Sequence, residues 1–147
     1  MPSRAFSIED GNLATASVNV ARKKTYKDID LSFAKRLDGD IFKKTDAAAV
    51  KQSVKNILLT NFAEKPFLPN FGGNLNSFLF NLSTDMDEDL IELTVVEAIE
   101  AYEPRARVQN VSVQVKPDRN EVLAKVVFQV ITTNDIITLD LDLTRLR

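Results

Sequence analysis

Residues 111–143 read VSVQVKPDRNEVLAKVVFQVITTNDIITLDLDL, and this stretch decides the fold. Apolar residues recur at every second position in three runs: Val111, Val113 and Val115; Val122, Ala124, Val126, Phe128 and Val130; then Ile137, Leu139, Leu141 and Leu143. A period of two collects one set of side chains on one face of a strand. KPDRN at 116–120 and TTND at 132–135 supply turn residues between the runs. Three strands joined by short turns make an antiparallel meander with one dry and one wet face. A dry face needs a cover, so the expected class is α+β, with the C-terminal antiparallel β-meander packed against two or three helices.

Working back from the meander, Pro104 forces Glu103 out of the helical region and stops whatever helix precedes it. That helix is expected over 86–102, with Leu90, Leu93, Val96, Ile99 and Tyr102 on one broad face, and Asp85 followed three residues on by Glu88 fits a capping arrangement. An earlier helix is expected over 46–61, from Val50, Val54, Ile57 and Leu58, with Thr45 or Asp46 as its cap. Residues 75–82 suit a short helix. Ile29, Leu31 and Phe33 alternate with polar residues and predict a short strand or extended segment, and Gly39 marks a turn. Residues 1–25 are polar and charged and read as a separate arm, either a solvated tail or a strand (Ala16, Val18, Val20) that adds to a neighbour's sheet. The elements that follow, 26–147, read as one domain, which suits a chain of 147 residues.

Composition narrows the chemistry. Nineteen basic and twenty-one acidic side chains give a net charge of -2, too little positive charge to drive binding to nucleic acid or an anionic membrane. With no Cys there is no disulfide, thiolate metal site or Cys nucleophile, and with no His there is no Ser-His-acid triad or imidazole ligand. No apolar run approaches a membrane span, and the first residues, MPSRAFSIEDG, lack the shape of a signal peptide, so synthesis in a reducing cytoplasm is expected. The acidic run DMDEDLIE at 85–92 lacks the central glycine and ligand order of a calcium loop, and acids at a helix start favour the macrodipole. Phe71-Gly72-Gly73-Asn74 lacks the Lys-Ser/Thr of a phosphate loop. No metal or cofactor is expected. Glycoside hydrolysis survives on composition alone, because two carboxyls suffice for it, but carboxylates this numerous make suitable pairs uninformative.

Three features remain as candidate contact sites. Glu103 and Arg105 flank Pro104 on an extended path and point the same way, so they pair with each other or present acid and fork to one partner, and Arg107 continues the row. As an exposed pair they would contribute little to stability. The loop 61–73, NFAEKPFLPNFGG, is irregular yet aromatic, and Phe67 and Phe71 either fill the core or meet a partner. The last strand, carrying Ile137, Leu139 and Leu141, has no following element to cover its edge, and a bare edge is a template for another chain's strand.

The order YKDIDLSF, then TDAAAVKQSVKNILLTNFAEKPFLPNFGGNL, then EAIEAYEPRARV, then the meander, resembles the baseplate wedge component of contractile-tailed bacteriophages. That family also carries a lysozyme name and has the type VI secretion relative TssE. The resemblance spans residues 26–147. It implies a non-enzymatic structural protein of the virion's tail baseplate, assembled in the host cytoplasm, with six copies in a ring around the tail tube or hub. It further implies that the protein initiates the tail sheath by strand pairing with sheath subunits. Glu103, Pro104 and Arg105 would then anchor to the helical core bundle of other wedge proteins. A peptidoglycan hydrolase is the alternative that the lysozyme name implies, and an adaptor of a secretion apparatus is a third reading.

Overall fold

The computed structural model describes residues 26–80 and 87–144. The arm at 1–25, the end of the expected short helix at 81–82, and Asp85 of the expected capping pair lie outside the described residues.

The meander forms as its alternation requires. β3 (Ala106–Lys116), β4 (Glu121–Val130) and β5 (Ile136–Thr144) make an antiparallel sheet in the order β3-β4-β5. A 3-10 turn at Pro117–Arg119 joins the first pair. Asn120 and Asn134 take the left-handed conformation at the two turns (φ 49° and 59°), a geometry that asparagine tolerates. The register sets Val113 opposite Ala124 and Ala124 opposite Leu141, so the dry sets of all three strands share one face. Val122, Ala124, Val126, Phe128 and Val130 are all buried, as are Leu139, Leu141 and Leu143. β3 begins five residues earlier than the valine run suggests, and a bulge between Val108 and Asn110 absorbs the irregular start.

α1 (Ala47–Leu59) and α3 (Glu88–Tyr102) cover the dry face, with α3 packing chiefly on β3 and α1 touching β5 and α3. α1 buries Val50, Val54, Ile57 and Leu58 as its spacing predicts. Asp46 occupies the N-cap position without capping: its Oδ1 accepts instead from the Tyr26 N–H (3.1 Å) and ties Tyr26 to the helix. α3 corrects the expected face. Ile91, Val95, Ala98 and Ile99 are buried, whereas Leu90 and Leu93 are 50% and 54% exposed. Two apolar rows wind along this helix, and the one that meets the sheet is the row displaced by one residue. Its N-cap is Asp87, whose side chain accepts from the Asp89 N–H.

The short strand expected around Ile29 to Phe33 is present but ends at Ile29. β1 (Lys27–Ile29) pairs with β2 (Lys43–Thr45) in a separate two-stranded sheet, and the strand stops at Asp30. There the Asp30 carboxylate accepts from Ser32 N–H and its carbonyl from Phe33 N–H, so an Asx turn replaces the strand and Ile29, Leu31 and Phe33 stay exposed. Gly39 makes its expected turn at φ 88°.

α2 (Leu75–Phe78) is a single turn that follows the Gly72-Gly73 pair. Gly72 has φ 118°, and a Cβ there would lie 2.3 Å from the Thr60 carbonyl oxygen. Gly73 donates to the Ile57 carbonyl (2.9 Å), which clamps the loop to the end of α1. Gly72→Ala should therefore cost roughly 2–6 kcal/mol, the sum of about 1–3 for overpacking and about 1–3 for the left-handed strain. Urea unfolding of the purified variant measures this, and a midpoint within error of wild type would refute the clamp.

Candidate docking site

The Glu103-Pro104-Arg105 triplet lies where α3 turns into β3. Pro104 is exposed, but Glu103 is only 2% exposed. Arg105 grips it from two residues away, Nε donating to Oε1 at 2.5 Å and Nη2 to Oε2 at 2.6 Å. This fork-to-fork pair is the strong form of a charge-assisted contact. Burial pushes the Glu103 pKa up, but the Arg105 guanidinium and the Ser53 side chain more than offset it, and the carboxyl is held below its usual range. The same carboxylate raises the Arg105 pKa. The guanidinium also stacks 4.9 Å from the Tyr26 ring. Of the two sequence-based alternatives, the residues pair with each other, and the expectation of a weak exposed pair is replaced by a clasp joining α1, α3, the start of β3 and Tyr26, just before β1. Arg107 is exposed on β3.

The aromatic loop divides. Phe71 packs against the core and against Tyr102, with ring centroids 4.8 Å apart, and Lys65 Nζ sits 3.9 Å from its centroid. Tyr102 Oη donates to the Asn70 carbonyl and fixes the loop to α3. Phe67 is fully exposed at a left-handed φ of 65°.

At the C-terminal edge, Leu139 and Leu141 are buried and Ile137 packs against the core, so these side chains belong to the domain itself. What the edge offers outward is backbone. The Thr138 carbonyl points away from β4, since it accepts from Lys51 Nζ at 2.9 Å. Strand alternation aims the amides and carbonyls of Asp140 and Asp142 the same way. A groove of about 650 Å³ runs between this edge and α1, lined by Lys44, Lys51, Gln52, Lys55, Leu139 and Asp140, among others. Lys44 pairs with Asp30 (3.3 Å), while no carboxylate pairs with Lys51 or Lys55 among the described residues. Gln52, buried inside the apolar row of α1, clamps the groove wall through the Ile29 carbonyl and the Leu31 amide. The opposite edge, on β3, differs: Glu92 and Glu88 accept from the Val113 and Val115 amides, both at 2.9 Å. Sequence reading missed these four roles. A lone Gln among helix-core positions and a helix rich in acid yet free of Lys and Arg were the available signals.

Residues 44–135 match the family model for baseplate wedge protein gp25. The chain belongs to that baseplate wedge family. A relative in Enterobacteria phage T4, its baseplate wedge protein gp25, is 30% identical over 114 residues, covering 76% of this chain and 85% of that protein. The baseplate of the anti-feeding prophage, solved by cryo-electron microscopy with six-fold symmetry imposed, holds a chain of the same fold. It is 21% identical, has a TM-score of 0.63, and is matched over 76% of this chain and 90% of that one. A crystal structure from Geobacter sulfurreducens, named as a tail lysozyme, has a TM-score of 0.58 at 24% identity, over 67% of this chain and 90% of that one. At such identities both likenesses speak for the fold alone. Membership of the gp25 family makes this a structural component of a contractile-tail baseplate, sited in the virion's tail beside other baseplate proteins.

Proposed function

We propose that the protein is the non-catalytic platform on which the tail sheath begins, and that β5 takes up a backbone strand from a sheath subunit. The open β5 edge carries this reading. Its outward amides and carbonyls are met only by Lys51 among the described residues, and a long groove lies beside them. Lys51 and Lys55 in that groove favour an incoming strand with acidic side chains. Arg105 and Arg107 line the α3–β3 corner, where Arg105 keeps guanidinium donors beyond those bound to Glu103. That corner is the proposed anchor to the helical core bundle of the wedge, with Phe67 as a second contact. Six copies around the tube or hub fit a ring-shaped platform.

Strand pairing rests on backbone hydrogen bonds and apolar burial, which salt does not screen. Sheath subunits should therefore stay on isolated baseplates at about 1 M salt, where the Debye length is about 3 Å. Release in moderate salt, read by pelleting, would point to rim ion pairs as the main contact and count against the proposal.

A further inference from the structure

The sheet has two edges, and their chemistry differs. We infer that Glu88 and Glu92 plug the β3 edge, so that strand addition is confined to β5. The inference rests on the reading of β5 as the docking edge, but the plug is defined by its own contacts.

An uncovered edge strand exposes every second amide as a donor for a foreign carbonyl. On β3 two such donors are Val113 N–H and Val115 N–H, and each is already taken, by Glu92 Oε1 and Glu88 Oε1 respectively, at 2.9 Å. The spacing explains why one helix serves both. Residues four apart on a helix are about 6 Å apart along its axis, and residues two apart on a strand about 6.6 Å. The higher-numbered glutamate meets the lower-numbered valine, so α3 runs antiparallel to β3 and the two ladders stay in step. Two carboxylates four apart repel each other on a helix surface. The amides offset that repulsion, since an ionised acceptor makes the stronger kind of hydrogen bond. A foreign strand approaching β3 would need to present carbonyl oxygens where two carboxylates already sit. On β5 the only cover among the described residues is the Lys51 ammonium, which engages one carbonyl from a flexible stem and leaves the amides of Thr138, Asp140 and Asp142 unclaimed. Among the described residues, this three-stranded sheet thus offers one open edge, and its β3 edge is closed to a β5 edge of a second copy.

The test uses the full chain, which has no native cysteine, so single reporters are clean. Gln114→Cys reports on the β3 edge and Asp142→Cys on β5. Each is placed in wild type, in Glu88→Ala/Glu92→Ala, and in Glu88→Gln/Glu92→Gln, where an acceptor oxygen remains. In the double-alanine variant the Val113 and Val115 amides should exchange with deuterium at least about tenfold faster, the equivalent of ~1.4 kcal/mol for a lost hydrogen bond. Disulfide-linked dimers through the position-114 reporter should then form, while wild type and the double-glutamine variant give none. Should the double-alanine variant fail to fold, Glu92→Ala alone frees Val113 and should give the same dimers in lower yield. A folded variant with freed amides and no dimer through position 114 would overturn the plug, as would dimers through that position in wild type. Purified sheath subunit separates the two readings. Sheath captured by neither reporter in wild type sinks the docking role of β5 and leaves the plug standing, whereas capture at both positions sinks the plug.

Discussion

Arg105→Ala should lower stability by roughly 2–4 kcal/mol at neutral pH, far more than an exposed ion pair would. Its removal leaves Glu103, 2% exposed, as a buried carboxylate without its countercharge, and stranding a buried charge costs about 3–5 kcal/mol. The remaining contact to Ser53 and the partly open position of Arg105, whose side chain is 31% exposed, bring the figure down. The sign of the pH dependence follows from the lowered Glu103 pKa. A carboxyl depressed on folding contributes stability that is full above its ordinary value near 4.5 and is lost as pH falls through the lower folded value. In the variant the same carboxyl is buried without its partner, so its pKa rises and acid relieves the strain. Urea midpoints should therefore differ most at neutral pH and converge below about pH 4. A gap that is constant across this range would mean that the clasp is not electrostatic. This cost also means that lost assembly in Arg105→Ala would not by itself demonstrate an anchor. Arg107→Ala, at an exposed position on the same corner, probes the anchor without disturbing the clasp.

Asp140→Pro should leave the fold intact and weaken sheath capture by about tenfold to a hundredfold. The Asp140 amide points away from β4, so proline removes no ladder bond within the sheet, and its side chain is exposed. The lost amide and the added ring together should weaken strand addition by about tenfold to a hundredfold, from about 1–3 kcal/mol for one unsatisfied carbonyl on the incoming strand. Leu139→Pro supplies the contrast, since its amide faces β4 and its side chain is buried, and that variant should not fold. Circular dichroism paired with co-sedimentation of sheath subunits reads both. A folded Asp140→Pro protein that captures sheath as well as wild type does would remove β5 from the account.

The meander was legible in the sequence because a period of two can be satisfied in only one way once one face is dry, and the observed register keeps Val113, Ala124 and Leu141 in line. α1 was legible for the same reason at helical spacing. The face of α3 was not, because the rows through Leu90 and Leu93 and through Ile91 and Val95 are equally apolar, and only the position of the sheet chooses between them. The segment from Ile29 to Phe33 misled in its extent because alternation is a long-range signal and the turn at Asp30 a local one, and here the local hydrogen bonds prevailed. The candidate site was half legible. Glu103 and Arg105 could be paired from their spacing across Pro104, but no composition rule announces that a glutamate is buried. The carboxylates on the β3 amides were hidden because their role depends on which strand lies beside which helix.

Whether β5 receives a partner's backbone, as proposed, is read from a cryo-electron microscopy map of the intact baseplate with its first sheath ring. An additional strand, contributed by a sheath subunit, should lie hydrogen-bonded alongside residues 138–144 in each copy of this chain. A map in which those residues face solvent, or are sealed by another part of the same molecule, would contradict it.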